Sequence, residues 1–443
     1  MNNTKKYKML QEGETGVPSV MGIIPSNISF VFNEENIRNS LSANNEYQLK
    51  KLKKEEEDVF SAQIIYKKEN YEIDFYIRPA TELKIEEFGF ANQIEEDEFR
   101  NAQQQPYFLE VSMFFGKNVL DSFHLQLKIM SSIVPEASLV VDFMSYRLLS
   151  AQWLRMTAAS AIPPSPHYLY TIHGVYNEND NGTVYWLHTH GLLRCGTVEL
   201  EILNISDGAQ QMNDLINMVV KKFLQNPAKE NEKFQIGYDG MEINLAWLRW
   251  EEALKDFPNH ILGGLDDREG EENVHADPSG ILFAVEDNNL VSPQIYLKSL
   301  SENPIFYISN EETKRMSDLA KERFSCFHDA FRKHSRQPEK QSFLKSIFGK
   351  KEQTEEPWRF IVKLGLTVDD SKDGTEKEHL WFDVLNIEDG YIEGLLLNQP
   401  YWIASLNEGD INKYPVDTLT DWLIYSPDNQ YTTDSIYQLG YYR

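Results

Sequence analysis

The chain has 443 residues, 41% of them hydrophobic and 12% aromatic, and its 69 acidic against 43 basic residues leave a formal net charge of −26. That length holds about three domains with sizeable cores, which argues against global disorder. The charge repels polyanions, which argues against nucleic acid and anionic membranes as partners and suits a basic protein instead. Two cysteines far apart, Cys195 and Cys326, provide neither a disulfide scaffold nor a Cys-x-x-Cys metal or redox pair.

Residues 1–19 read as a leader. Their lysines are not followed by an apolar stretch, and no apolar run in the chain reaches about 18 residues, so the expected location is the cytoplasm. Residues 20–105 read as a small α+β unit. It has a strand at Met21, a solvated helix ending in the Lys50–Glu57 charge run, and a hairpin of Phe60–Tyr66 and Tyr71–Ile77. Residues 106–230 read as a second α+β unit. Tyr107–Phe115 and Ser138–Phe143 are predicted strands. Asn118–Val134 carries Val119, Phe123, Leu127, Met130 and Ile133 at helical spacing and stops before Pro135. A short helix at Ala151–Ser160, a histidine-rich hairpin, a strand at Thr197–Ile205 and an amphipathic helix at Gln210–Leu224 follow. Residues 231–334 continue the α+β pattern with strands at Met241–Trp250 and Ile281–Val285. A capping box, Ser309 to Glu312, opens a helix with Met316, Leu319, Phe324, Phe327 and Phe331 on one side.

Residues 335–357 are polar and charged and read as a linker. The stretch 358–443 is β-rich, with strands at Arg359–Thr367, His379–Ile387, Tyr391–Leu397 and Ile411–Pro415. Turns at Asp373-Gly374, Asp389-Gly390 and Glu408–Asp410 predict a small barrel or a strongly bent sheet. The predicted fold class is α+β: layered N-terminal units with mostly antiparallel sheets, followed by a small barrel-like C-terminal domain.

The hairpin from His167 to His190 carries four of the ten histidines. Pairing Tyr176 with Thr183 places His173 opposite Trp186, Thr171 opposite His188 and Leu169 opposite His190. His167, His173, His188 and His190 then share one face, because side chains alternate along a strand. Imidazole nitrogen suits zinc, and Glu199 and Glu201 are carboxylates close in sequence. The competing reading is a half-buried sheet whose histidines bond locally, with no cofactor. His188-Thr-His190-Gly invites comparison with the His-x-His-Pro motif of zinc deubiquitinase-like peptidases. That motif needs a downstream serine and aspartate where this chain has Glu199 and Ile202, so the comparison fails.

The acidic loop Gly263–Asp277 lacks calcium-loop spacing and reads as solvated surface. Nucleophile-elbow, phosphate-loop and dinucleotide signatures are absent. In the C-terminal module, Trp381, Trp402, Asp421 and Trp422 either line a recognition groove or fill the core.

Two resemblances cover nearly the whole chain. Glu378-His-Leu-Trp381-Phe-Asp-Val, Asp389-Gly-Tyr-Ile-Glu-Gly394, Asn398-Gln-Pro400, Gly409-Asp410 and Asp421-Trp422 resemble the bacterial domain of unknown function 2314. Pro163-Pro-Ser-Pro-His167, Tyr170-Thr-Ile-His173, Trp186-Leu-His-Thr-His-Gly-Leu192, Glu199-Leu-Glu201 and Trp247-Leu-Arg-Trp250 resemble the bacterial domain of unknown function 4026. The resemblance implies a bacterial cytoplasmic protein and supplies no activity. Occurrence of the C-terminal domain beside ankyrin-like repeats implies an interaction module. The expected function is therefore non-enzymatic: a protein-binding or immunity-like protein with a basic partner. The alternative is a metal-dependent hydrolase built on the histidines.

Overall fold

The computed structural model describes residues 3–88, 90–91, 94–179, 182–238, 241–270, 273–302, 310–335, 358–371 and 376–440. The expected linker from residue 336 onward, Ser309 of the expected capping box and the Asp373-Gly374 turn lie outside the described residues. Chain contacts form two compact units, residues 1–159 with 163–308, and residues 160–162 with 309–443.

The first unit contains two sheets. The first has eight strands in the order Gln48–Glu56, Val59–Tyr66, Glu69–Pro79, Tyr107–Met113, Ser19–Pro25, Ala137–Asp142, Arg147–Ser150, Phe90–Ala91. Neighbours are antiparallel except the last pair. Lys67 and Lys68, at φ 46° and 70°, make the two-residue turn that joins Tyr66 to Glu69; positive φ at both positions matches the strand twist. The Lys50–Glu57 run, expected as a helix end, is the edge strand Gln48–Glu56. A register shift between Leu49 and Lys51 breaks its alternation, so no period of two was visible, and its charges suit an edge open to water. The helix Val119–Ile133 is buried on nearly every side, polar residues included, because helix Ala151–Ala159 packs against it as well as the sheet.

The second sheet runs Phe234–Tyr238, Met241–Arg249, Ser279–Glu286, Glu199–Ile205, Gly182–His190, Thr171–Asn179, with Asn289–Val291 beside Ser279–Glu286. Glu199–Ile205 and Ser279–Glu286 are parallel. Residues Trp186, Leu203 and Ile281 of one face pack under Ala253, Leu254 and Ile261. Residues 1–19, expected as a leader, hold a helix, Asn3–Gln11, whose Tyr7 and Leu10 are buried. The Tyr7 hydroxyl lies 3.0 Å from the Glu251 carboxylate and 2.8 Å from the Ser279 carbonyl, and it accepts the Ser279 N–H. Lys6 pairs with Asp277 at 2.8 Å. Two buried side chains in nine residues leave no apolar stripe to read. Tyr7→Phe strands the half-buried Glu251 carboxylate and the buried Ser279 backbone and is expected to cost about 1–3 kcal/mol in urea denaturation.

Among the described residues, a buried ion pair joins the two sheets. Arg194 donates to both carboxylate oxygens of Asp142, at 2.8 and 2.6 Å, with both side chains fully buried. It also donates to the Ser19 hydroxyl and the Leu169 carbonyl, and its guanidinium lies 5.2 Å from the centre of the Phe123 ring. Asp142 ends a strand of the first sheet, and Arg194 follows the hairpin of the second.

The second unit contains a six-stranded antiparallel sheet, Ile411–Pro415, Tyr391–Leu396, Lys377–Glu388, Arg359–Thr367, Leu419–Tyr425, Gln430–Thr432. The fold class is α+β, as expected, but this sheet is open rather than closed into a barrel. A single sheet has an apolar face to cover, and here helices Asn310–Glu322 and Phe324–His334 cover it. Phe327 meets Phe360 and Trp422 at 5.6 and 5.2 Å, and the Trp422 indole N–H donates to the Ala320 carbonyl at 3.0 Å.

Burial pushes Asp421 up to about 6, against the Trp422 N–H and Lys363, which lower it. The folded value lies above the unfolded one, so the contribution of Asp421 is complete below about pH 4 and is lost as pH rises through 6. Hydrogen-exchange protection of Leu419–Tyr425, corrected for intrinsic rates, is therefore expected to fall between about pH 4 and about pH 7. Asp421→Asn is expected to flatten that profile.

Candidate metal centre

The hairpin pairs Asn179 with Gly182, Tyr176 with Tyr185, His173 with His188 and Thr171 with His190. This register differs by two residues from the expected one, because the strands extend to Asn179 and Gly182 and shorten the turn. An even shift preserves the faces, so His173, His188 and His190 stand on one side. Their ligand atoms all lie within 4.8 Å of one another. The rings meet at centroid distances of 4.7 Å for His173 with His190, 4.9 Å for His188 with His190 and 5.5 Å for His173 with His188.

His167 does not join them. Pro163, Pro164 and Pro166 precede it, and it sits exposed in the short 3-10 turn Pro166–Leu169, ahead of the strand. The fourth imidazole at the cluster is His275, carried in the acidic loop and 4.8 Å from His188 and 5.6 Å from His190, ring to ring. Sequence reasoning missed it because a loop residue has no periodicity to assign it a face.

The surroundings are aromatic and polar by turns. Trp186 lies against the His188 ring at 4.0 Å. Tyr146 packs edge-on to His190 at 4.8 Å and holds φ at +52°, a conformation that a bulky residue adopts only when its surroundings impose it. The Thr171 hydroxyl donates to the Ser145 carbonyl at 2.6 Å, so it accepts from His173 Nε2 at 3.1 Å. That tautomer leaves the His173 lone pair on Nδ1. His188 Nδ1 is buried without a hydrogen-bond partner among the described residues. Burial, followed by the neighbouring imidazoles, lowers His188 and His190 to about 2 and His173 to about 4. All three are therefore neutral at pH 7, the form that coordinates metal.

Neither carboxylate considered from the sequence is left over as a ligand. Glu201 is buried and accepts two bonds from Arg268, at 3.0 and 2.7 Å, another from the Trp186 indole at 2.7 Å, and one from the Ser279 hydroxyl. Glu199 accepts from the Thr189 hydroxyl and the N–H groups of Gly191, Leu192 and Leu193. Burial pushes Glu199 up to about 7 against those four donors. Glu199 thus shapes the turn after the hairpin, and Glu201 anchors the acidic loop. Arg268 extends the anchor by donating to the carbonyls of His275, at 2.6 Å, and Gly263, at 2.9 Å. Gly263 lies so close to Trp186 that a Cβ would sit 2.7 Å from the indole. The loop expected to be solvated is therefore clamped at Gly263 and Arg268, while Asp266, Asp267 and Glu269 remain exposed. Glu271 and Glu272 lie outside the described residues.

The four C-terminal candidates do not form a groove. Trp422 is fully buried, Asp421 is buried beside it, and Trp381 is half-buried with the Lys363 ammonium 5.3 Å from its ring centre. Trp402 alone is exposed, together with Tyr401, which the sequence reading did not single out.

A neutral histidine triad on the face of an antiparallel hairpin, within a two-sheet α+β unit, is the candidate ligand set of this protein. The chain belongs to the family of proteins of unknown function DUF4026, whose N-terminal model matches residues 19–164 and whose C-terminal model matches residues 172–283. A further model, an uncharacterized protein conserved in bacteria (DUF2314), matches residues 311–439. His173, His188, His190 and His275 all fall within the second match. A stretch of 54 residues is 35% identical to a putative ankyrin repeat protein of Neisseria meningitidis serogroup B, covering 12% of this chain and 21% of that protein. This chain thus spans about a fifth of that relative's length. No solved structure matches the chain. No helix among the described residues is long and apolar enough to cross a membrane.

Proposed function

We propose that the first unit is a metal-binding module that holds one divalent transition-metal ion, zinc by ligand class, on His173, His188 and His190. The convergence of three ligand atoms within 4.8 Å carries this reading. The buried, unpartnered His188 Nδ1 supports it, since such an atom is costly unless something coordinates it. Three imidazoles leave one coordination position for water or a ligand. Hydrolysis would also require a group to take a proton from water, and both nearby carboxylates are already engaged. Binding or sensing of the ion therefore fits better than a metal-dependent hydrolase. A bacterial cytoplasmic setting suits the family description and two unpaired cysteines. A protein-binding role, immunity-like or otherwise, is favoured separately by the exposed aromatic pair of the second unit.

Elemental analysis of untagged protein purified without chelators tests the metal reading. About one equivalent of zinc, iron or manganese per chain is expected. Less than about a tenth of an equivalent, with no uptake on zinc titration, overturns it.

A further inference from the structure

We propose that the Tyr401–Trp402 loop of the second unit is a docking surface for a lysine- and arginine-rich segment of a partner protein. Tyr401 is 89% exposed and Trp402 68% exposed. Contiguous exposed apolar surface marks interaction sites, and Tyr and Trp are enriched among the residues that carry binding energy.

The loop beneath them is held in place. The Glu378 carboxylate accepts the N–H groups of Tyr401 and Trp402, at 2.7 and 2.9 Å. The Asp369 carboxylate accepts the Ala404 N–H at 2.7 Å, and the Asp369 N–H donates to the Trp402 carbonyl at 3.1 Å. Gln399 reaches across the loop, accepting the Glu408 N–H. Pro400 and Ile403 are buried on either side of the aromatic pair. Five hydrogen bonds and two buried anchors thus fix a segment whose two largest side chains bury little. Fixing a contact residue before its partner arrives removes ordering entropy from the binding step.

The chemistry of the occupant follows from charge. Asp369 and Asp370 are exposed next to the loop, Glu376 is exposed on the segment bonded to Val368, and Glu408 is exposed at the far end. Among the described residues of this segment, Lys377 is the basic neighbour. Across Trp358–Arg443 acidic residues outnumber basic ones more than two to one. Aromatic faces ringed by carboxylates select ammonium and guanidinium groups, through cation–π contact at the rings and ion pairing at the rim. An acidic or purely apolar segment would lose one or both terms.

The probe is a fluorescein-labelled peptide of about 12 residues, alternating arginine and serine, titrated with the full-length protein and read by anisotropy. Saturable binding is expected, about tenfold weaker for the Tyr401→Ala/Trp402→Ala double variant, which leaves the net charge unchanged. Asp370→Asn/Glu376→Gln, which touches no bond that holds the loop, is expected to weaken binding about threefold and to reduce its salt dependence. An unchanged thermal transition in both variants establishes that folding is intact. Absence of saturable binding, equal binding by the aromatic double variant, or equal binding of a glutamate-serine peptide overturns the proposal. The titration is run with and without chelator, so its outcome does not depend on the metal site.

Discussion

Replacing His188 and His190 together with alanine is expected to lower bound zinc from about one equivalent to below about a tenth. These two side chains are buried and supply two of the three donors. Of the three donors only His173 is left, on the sheet's edge strand, without the paired strand histidines that would let it chelate an ion. His173→Ala keeps the buried pair and is expected to weaken affinity about 10- to 100-fold without abolishing binding. His167→Ala serves as the control. It lies in the same stretch of sequence but on the exposed turn, so zinc content is expected to stay unchanged. Loss of zinc in that control, or retention in the double variant, places the ion elsewhere. Far-UV circular dichroism of the double variant separates loss of ligands from loss of fold.

Arg194→Met is expected to destabilise the first unit by about 3–5 kcal/mol, read as a lower urea midpoint. The substitution leaves Asp142 buried without its countercharge, with the Ser145 hydroxyl and the Met144 N–H as its remaining donors among the described residues. Adding Asp142→Leu removes the stranded carboxylate and is expected to recover much of the loss, because a buried pair gains little over well-packed apolar groups of similar volume. The effect should also reach the histidines. Ser145, bonded to Asp142, supplies the carbonyl that holds Thr171, and Thr171 fixes the ring of His173. Zinc affinity of Arg194→Met, measured under native conditions, is therefore expected to fall as well. If stability falls without a change in affinity, this chain of bonds does not position the ligand.

The legible part of this molecule is the part governed by local periodicity. The alternation of the hairpin placed three histidines on one face, and that placement survived a register error because the error was even. The helices Val119–Ile133 and Ala209–Phe223 announced themselves by apolar spacing. The missing information is non-local. His275 reaches the cluster because Arg268 finds Glu201, 67 residues away, and neither a strand carboxylate nor a loop arginine reveals its partner. His167 was misplaced because the prolines before it read as a boundary but did not show how far the strand start was delayed. The edge strand Gln48–Glu56 looked helical because a bulge hid its period and charge covered its surface. The barrel expectation failed for a related reason: turn spacing reveals strands, whereas what covers their apolar face depends on helices from before the segment outside the described residues.

The Arg194–Asp142 pair also bears on how this family can change and be divided. The first family match ends at residue 164, within the proline-rich stretch 163–166, and the second begins at 172, so the stretch looks like a natural cutting point. Yet Asp142 belongs to one match and Arg194 to the other. Expressing either half alone leaves one partner of a fully buried ion pair without its countercharge, so neither half is a portable module. A lineage that exchanged one half for a foreign copy would have to bring the matching charge with it. Sequence matching draws a border there, whereas the buried pair ties the two halves into a single folding piece.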